Sequence, residues 1–239
     1  MDRAANRHRT SLRGGCTGVK LLLVNPNTSS TTTAAMLAIA RDAAPAGVTV
    51  EAVTAKFGAA LIVNPAALAV AATAVCAVVR EPLDHAFQGV IVSAFGDPGL
   101  VLLRAALHLP VTGIAEASMR EAARHNRFSI VTTTPELVGS IEATALAYGH
   151  AKALASVRIT EGDPVTLTAN PEALEEALYQ ACLLAVNSDR ADAIIIGGGP
   201  LASAARRLGS RIAVPLIEPI PAAIRLAVER MHGVTGTAQ

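Results

Sequence analysis

Five small polar side chains crowd the first loop of the folded sequence. In KLLLVNPNTSS, Asn25, Asn27, Thr28, Ser29 and Ser30 follow directly on an apolar run. Such a set offers neutral donors and acceptors beside the free N–H groups of a helix start, a combination suited to an anion or a carbonyl oxygen. A single N-cap uses only one of them, so the surplus marks Asn27, Thr28 and Ser29 as candidate ligand-binding residues. Thr132, Thr133 and Thr134, just before Pro135, repeat the pattern. Alone they are ordinary helix capping; paired with the first loop, Thr132 and Thr133 form the other jaw of a clamp for a carboxylate or ring amide. Asp97, followed by Pro98 and Gly99, is either a general base or an N-cap with proline at the first helical position. Gly197, Gly198 and Gly199 permit close backbone approach to a ligand, but complete neither a P-loop nor a G-x-G-x-x-G motif. Glu218 ends the last apolar run. A carboxylate there, in a dry cleft, has a raised pKa and can act as acid or base; the alternative is a solvated or capping Glu before Pro219. Glu116 reads as a cap or interface residue, and His108, His125 and His150 as surface positions at helix ends. No His, Cys or carboxylate cluster has metal-ligand spacing, and no cofactor is expected.

These loops need strands and helices to aim them. Short apolar runs at 20–24, 48–53, 89–93, 111–113, 128–132, 155–159, 193–196 and 214–217 have strand length and do not alternate, as expected for parallel strands covered on both faces. Between them lie helical patterns at 31–44, 66–80, 99–107, 116–125, 135–148, 171–186 and 201–208, with a last one at 221–231. Repeated β-α order means an α/β fold. Eight such units also suit a small barrel, but an internal echo argues for two halves. KLLLVNPNTSS resembles RFSIVTTTPEL, and GVIVSAFGDPG resembles DAIIIGGGPLA. The expected organisation is a disordered tail at 1–18, a first half from 19–112 plus about 214–232, and a second half from 113–213. Each half has a central parallel sheet flanked by helices, and the halves are related by a pseudo-twofold. Ligands of open parallel sheets sit beyond the carboxyl ends of the strands, so the four loops would surround one cleft.

Composition narrows the classes. The 239 residues are 51% hydrophobic and 16% charged, with a formal net charge of +1, enough apolar content for a large core and no footprint for nucleic acid. No apolar run reaches the ~20 residues of a spanning helix. The arginine-bearing start lacks the apolar centre of a signal peptide. Cys16, Cys76 and Cys182 are an odd, widely spaced set, which fits a reducing cytoplasmic location rather than a disulfide framework. Cys76 and Cys182 fall inside apolar helical patterns, where cysteine acts as a small buried hydrophobe.

VNPNTS, FGDPGL, GIAEAS, FSIVTT and VPLIEPIPAAIRLA, in that order between about residues 20 and 229, together resemble the aspartate/glutamate/hydantoin racemase superfamily, nearest its hydantoin and allantoin racemases. The resemblance implies two pseudo-symmetric α/β halves with the site between them. It also implies a mechanism in which two cysteines face each other across the substrate carbon, one removing the α-proton and the other returning a proton to the opposite face. Family patterns read roughly A-C-F-G-D-P-G-L and L-G-C-A-G. Here the cysteine positions are Ala94, in Ser93-Ala94-Phe95-Gly96-Asp97, and Gly198, in Gly197-Gly198-Gly199-Pro200. Ala94, Phe95, Gly96, Gly198, Gly199 and Pro200 are therefore expected at the substrate, with proton transfer left to Glu218, Asp97 or water. The expected function is an isomerase-like enzyme of this superfamily. It would act α to a carbonyl of a small carboxylate or hydantoin-like cyclic amide, without the two-cysteine mechanism and as a homo-oligomer. A lyase, decarboxylase or hydrolase on a related substrate is one alternative, and a non-catalytic small-molecule binding protein is the other.

Overall fold

The computed structural model describes residues 18–80 and 87–235. The first sheet contains β1 (Val19–Asn25), β2 (Val48–Thr54), β3 (Gly89–Val92) and β4 (Val111–Gly113), in the order β2-β1-β3-β4. The second contains β5 (Phe128–Thr132), β6 (Leu154–Ile159), β7 (Ala193–Ile196) and β8 (Leu216–Ile217), in the order β6-β5-β7-β8. All pairings are parallel. Two separate four-stranded sheets replace the single closed barrel that eight units allow. The central strands β3, β5 and β7 are buried throughout, which is why their sequences are mainly apolar and do not alternate.

The repeat extends to individual hydrogen bonds. Ser93 N donates to Val24 O at 2.9 Å, as Gly197 N does to Val131 O at 2.9 Å. Ala55 N donates to Asn25 O at 2.9 Å, matched by Thr160 N to Thr132 O at 3.0 Å. Val90 N and Ile194 N each donate, at 3.0 Å, to the carbonyl of a proline, Pro110 and Pro215. Each half thus leaves its central strands in the same way.

The helices are α1 (Ser30–Ala43), α2 (Pro65–Arg80), α3 (Leu100–Ala106), α4 (Ile114–Ala122), α5 (Val138–Ala147), α6 (Pro164–Ala169), α7 (Pro171–Asn187), α8 (Ala202–Leu208) and α9 (Pro219–Thr235). The short helix α6, capped by the Asp163 carboxylate on Thr166 N, falls in a stretch whose sequence carries no helical period. None of the described helices is long and apolar enough to cross a membrane.

One boundary moves. The segment expected to return to the first half from about residue 214 begins with a strand of the second sheet, because Leu216 and Ile217 pair with Ile194 and Ile195 of β7. Only α9 crosses back, packing on α1, β3, β4 and α4. Ala222, Ala223 and Ala227 of α9 and Ala115, Ala117 and Ala122 of α4 are buried in one core with Leu21, Ile91, Ile130 and Ile195 from both sheets. Small alanine faces let the helices approach closely, and each larger buried aliphatic contributes roughly 1.5–3 kcal/mol. The expected tail at 1–18 lies outside the described residues up to residue 17.

Candidate active site

Strand order fixes where a ligand can sit. In each sheet the chain leaves β1 or β5 in one direction and β3 or β7 in the other, so a crevice opens between those neighbouring strands at their carboxyl ends. The loops after these four strands meet in one cavity between the halves. Asn27 lines it from the first loop, Ser93, Ala94 and Phe95 from the second, Thr132, Thr133 and Thr134 from the third, and residues 197–201 from the fourth. Leu61 and Ile62 close it from the loop after β2, Thr168 from α6, and Leu137 and Ile141 from the start of α5.

The first loop is a prebuilt donor. Asn25 is fully buried, and its amide nitrogen donates to Asn27 Oδ1 (2.8 Å), Thr33 Oγ1 (2.9 Å) and Ser29 O (3.2 Å). Asn27 Oδ1 also accepts from Ser29 N at 2.9 Å. With its oxygen occupied twice, Asn27 has its Nδ2 donors free of protein acceptors among the described residues. Across the cavity, Thr132 and Thr134 pair through their hydroxyls at 3.2 Å. Thr133, 3% exposed, has no protein partner for its hydroxyl among the described residues. Thr28 and Ser29 do not line the cavity. Thr28 N is bonded to Ala59 O at 3.1 Å, and Ser29 Oγ caps α1 by accepting from Thr32 N at 3.2 Å.

Ala94 and Gly198 occupy equivalent places in the repeat, each one residue past the matched bonds of Ser93 and Gly197. The two loops also interlock. A Cβ on Gly197 would stand 3.1 Å from the Phe95 ring. One on Gly199 would stand 2.5 Å from Met36 Sδ and 3.3 Å from Ser93 O. Gly198 has φ +144°, a conformation open to glycine and strained for any other residue. Pro200 is the middle residue of a 3-10 turn, Gly199–Leu201, leading into α8. Gly96 lies outside the cavity lining, with Leu68 as its neighbour.

No carboxylate, imidazole, ammonium, guanidinium or thiol appears among the lining residues. Glu218 is paired with Arg206 Nε at 3.2 Å, and the same guanidinium reaches Asp42 of α1 at 2.6 Å. Asp97 is buried, but behind the wall. Its Oδ1 accepts from Ala115 N (2.9 Å), and its Oδ2 accepts from Glu116 N (2.8 Å) and the Tyr148 hydroxyl (2.8 Å). It therefore caps α4, not the helix that follows it; α3 has Gly99 as its N-cap. Burial pushes the Asp97 carboxyl up to about 6, against the lowering effect of those three donors. Cys182, fully buried in α7, is pushed up to about 12 by burial. Cys76 packs in the first half's second core cluster, and Cys16 lies outside the described residues. Among the described residues no three His, Cys, Asp or Glu gather to hold a metal ion.

The arrangement is a cleft of neutral donors with an apolar wall, suited to holding a polarised carbonyl and stabilising charge that develops on its oxygen. The chain is similar to known proteins in sequence and in fold. Residues 21–227 match the family model described as Asp/Glu/Hydantoin racemase. A hydantoin racemase from Pseudomonas sp. (strain NS671) is 30% identical over 210 residues, 87% of this chain and 84% of the relative. The solved structure of an allantoin racemase from Klebsiella pneumoniae superposes with TM-score 0.85 at 31% identity, covering 91% of this chain and 89% of its own. One from Pseudomonas fluorescens gives 0.86 at 29%, covering 90% and 92%. With the two-sheet repeat and the cleft at its switch points, these matches place the chain in the Asp/Glu/hydantoin racemase family.

Proposed function

We propose that the protein binds a small hydantoin-like cyclic amide, or a related small carboxylate, and labilises the hydrogen on the carbon α to its carbonyl without thiols. The observation that carries this reading is the pair of equivalent residues facing the cleft: Ala94 and Gly198 have no ionisable group, while the donors around them remain. Asn27 Nδ2, the Thr133 hydroxyl and nearby backbone N–H groups would receive the enolate oxygen. The α C–H bond breaks, its electron pair moves onto the carbonyl, and hydroxide takes the proton to become water. Water on the opposite face then protonates the carbon and becomes hydroxide. The space left beside Ala94 and Gly198 gives such waters access to both faces. Loss of carbon dioxide from a substituted malonate leads to the same kind of enolate. A second reading, a binding protein without turnover, is favoured by the lack of any titratable group among the lining residues.

The test is solvent exchange. Single-enantiomer 5-substituted hydantoins and substituted malonates are incubated in D2O and followed by proton NMR and chiral chromatography. Exchange with inversion above the protein-free rate is expected, and alkylation of the native protein should leave that rate essentially unchanged. Cys76→Ser and Cys182→Ala, checked for folding, should behave likewise. Saturable binding without exchange selects the binding protein. Loss of turnover in a folded cysteine variant would show that a thiol does the chemistry.

A further inference from the structure

Asp97 and Tyr148 meet at the join of the two halves, behind the cavity and between two of its walls. Asp97 lies two residues after Phe95, whose ring lines one wall. Tyr148 ends α5, whose Ile141 lines another. Ile141 and Tyr148 are about two helical turns apart, so they share a face and move together. The seat between them is closely built. Asp97 has φ +49°, preceded by Gly96 at +110° and followed, after Pro98, by Gly99 at +78°. The positive φ values of Gly96 and Asp97 swing its carboxylate under α4. A Cβ on Gly113 would stand 2.1–2.4 Å from that carboxylate.

The groups facing it come from several elements. Tyr148 approaches from α5 and Glu116 from α4. Glu116 is itself held by Arg104 of α3 at 2.7 Å and Arg230 of α9 at 2.7 Å. Burial alone would raise the Glu116 carboxyl, yet the two arginines hold it below its usual range. Burial and the Asp97 charge push the Tyr148 phenol far above its usual range. Asp97 is thus the group of this set that can change charge near neutrality. Each of its oxygens already receives an N–H, so a proton on Oδ2 must point at the Tyr148 oxygen and reverse that bond.

We propose that Asp97 and Tyr148 are a pair of positioning residues whose hydrogen bond sets the separation of the cavity walls, so that a carboxylate outside the cleft governs binding inside it. The proposal rests on the ring-amide reading above for its ligand, but not for its geometry.

The chain has two tyrosines and no tryptophan, so a tyrosine ring-carbon label gives two resonances, assigned with Tyr148→Phe. Tyr179 stacks under Arg211 elsewhere, at 4.1 Å. The Tyr148 resonance is expected to shift with a midpoint at about 6, where burial places Asp97, and to be flat in Asp97→Asn. Wild-type affinity for (S)-5-benzylhydantoin, measured by calorimetry, should change about 3–10-fold across the same midpoint and lose that dependence in Asp97→Asn. Tyr148→Phe removes a donor that favours the ionised carboxylate. Its midpoint should therefore lie higher, with about 3–10-fold weaker binding at neutral pH. A purely structural contact would leave the hydantoin affinity with no midpoint in this range in either protein. If the wild type binds no hydantoin, the ring-amide reading falls by itself. The latch is then decided by the Tyr148 resonance together with amide exchange over residues 137–147, expected to quicken in Tyr148→Phe. An immobile Tyr148 resonance, unchanged exchange, or equal hydantoin affinity in wild type and Tyr148→Phe overturns the proposal.

Discussion

A Gly113→Ala protein is expected to melt about 10 °C or more below the wild type, a loss of roughly 3–5 kcal/mol for a chain of this size. Gly113 has an ordinary extended backbone, with φ −94°, so its conformational freedom is not the issue. The added methyl would stand 2.1 Å from Asp97 Cγ, 2.2 Å from Oδ2 and 2.4 Å from Oδ1. Asp97 is 5% exposed and cannot step aside into solvent. Displacing it strands Ala115 N and Glu116 N, the first free donors of α4, and leaves a buried carboxylate without its partners. Each unsatisfied buried group costs ~1–3 kcal/mol, and a charged one costs more. Thermal melting and urea titration read the loss. A double-mutant cycle with Asp97→Ala identifies its source, because the methyl should cost far less once the carboxylate is gone. Melting within a degree or two of wild type, or full additivity in the cycle, would place the cause elsewhere.

Pairing Asn27→Asp with Thr133→Val should weaken binding of a neutral hydantoin by about 10–100-fold, since each change deletes a buried donor worth ~1 kcal/mol or more. Both substitutions keep shape. The carboxylate introduced in place of the Asn27 amide would still accept from Asn25 Nδ2 and Ser29 N, as Oδ1 does now, losing only the Nδ2 donors. An anionic carboxylate ligand should lose still more, because the new charge repels it. Calorimetric titration with both ligands separates the two cases. Unchanged affinity in a normally melting variant would remove the clamp from the site.

Much of this site was legible in the sequence, because parallel strands buried on both faces write themselves as unbroken apolar runs. The echo between the loops after β1 and β5, and between those after β3 and β7, located the cleft because topology alone places those four loops together. Asn27, Ala94, Phe95, Thr132, Thr133, Gly198, Gly199 and Pro200 all line it. Asp97 misled for a definite reason. Asp-Pro-Gly reads as a local cap, whereas its left-handed backbone carries the side chain to a helix that starts 17 residues later. Tertiary capping leaves no mark in spacing. Glu218 follows β8, a two-residue edge strand away from the crevice, so ending a strand was not enough to reach the cavity lining. Leu61 and Ile62, from the loop after β2, and Thr168, from the short helix α6, were missed because they lie beyond the edge strands, where apolar and polar residues mix without a period. Gly198 shows in the sequence only as a missing side chain. Its φ of +144° means that the backbone has also left the range a cysteine would adopt comfortably.

The crossing of α9 back to the first half also orders events during synthesis. All four strands of the second sheet leave the ribosome before the helix that covers the first. Until α9 emerges, Leu21, Leu23 and Ile91 lack the partners that α9 brings to their shared core. The half made first is therefore the half finished last, the reverse of the usual amino-terminal-first order. A nascent chain stalled before residue 219 should expose its early segment to protease and to chaperones while its later segment is already protected. The window of aggregation risk would then be set by how fast the final helix is translated, not by the slow pairing of strands.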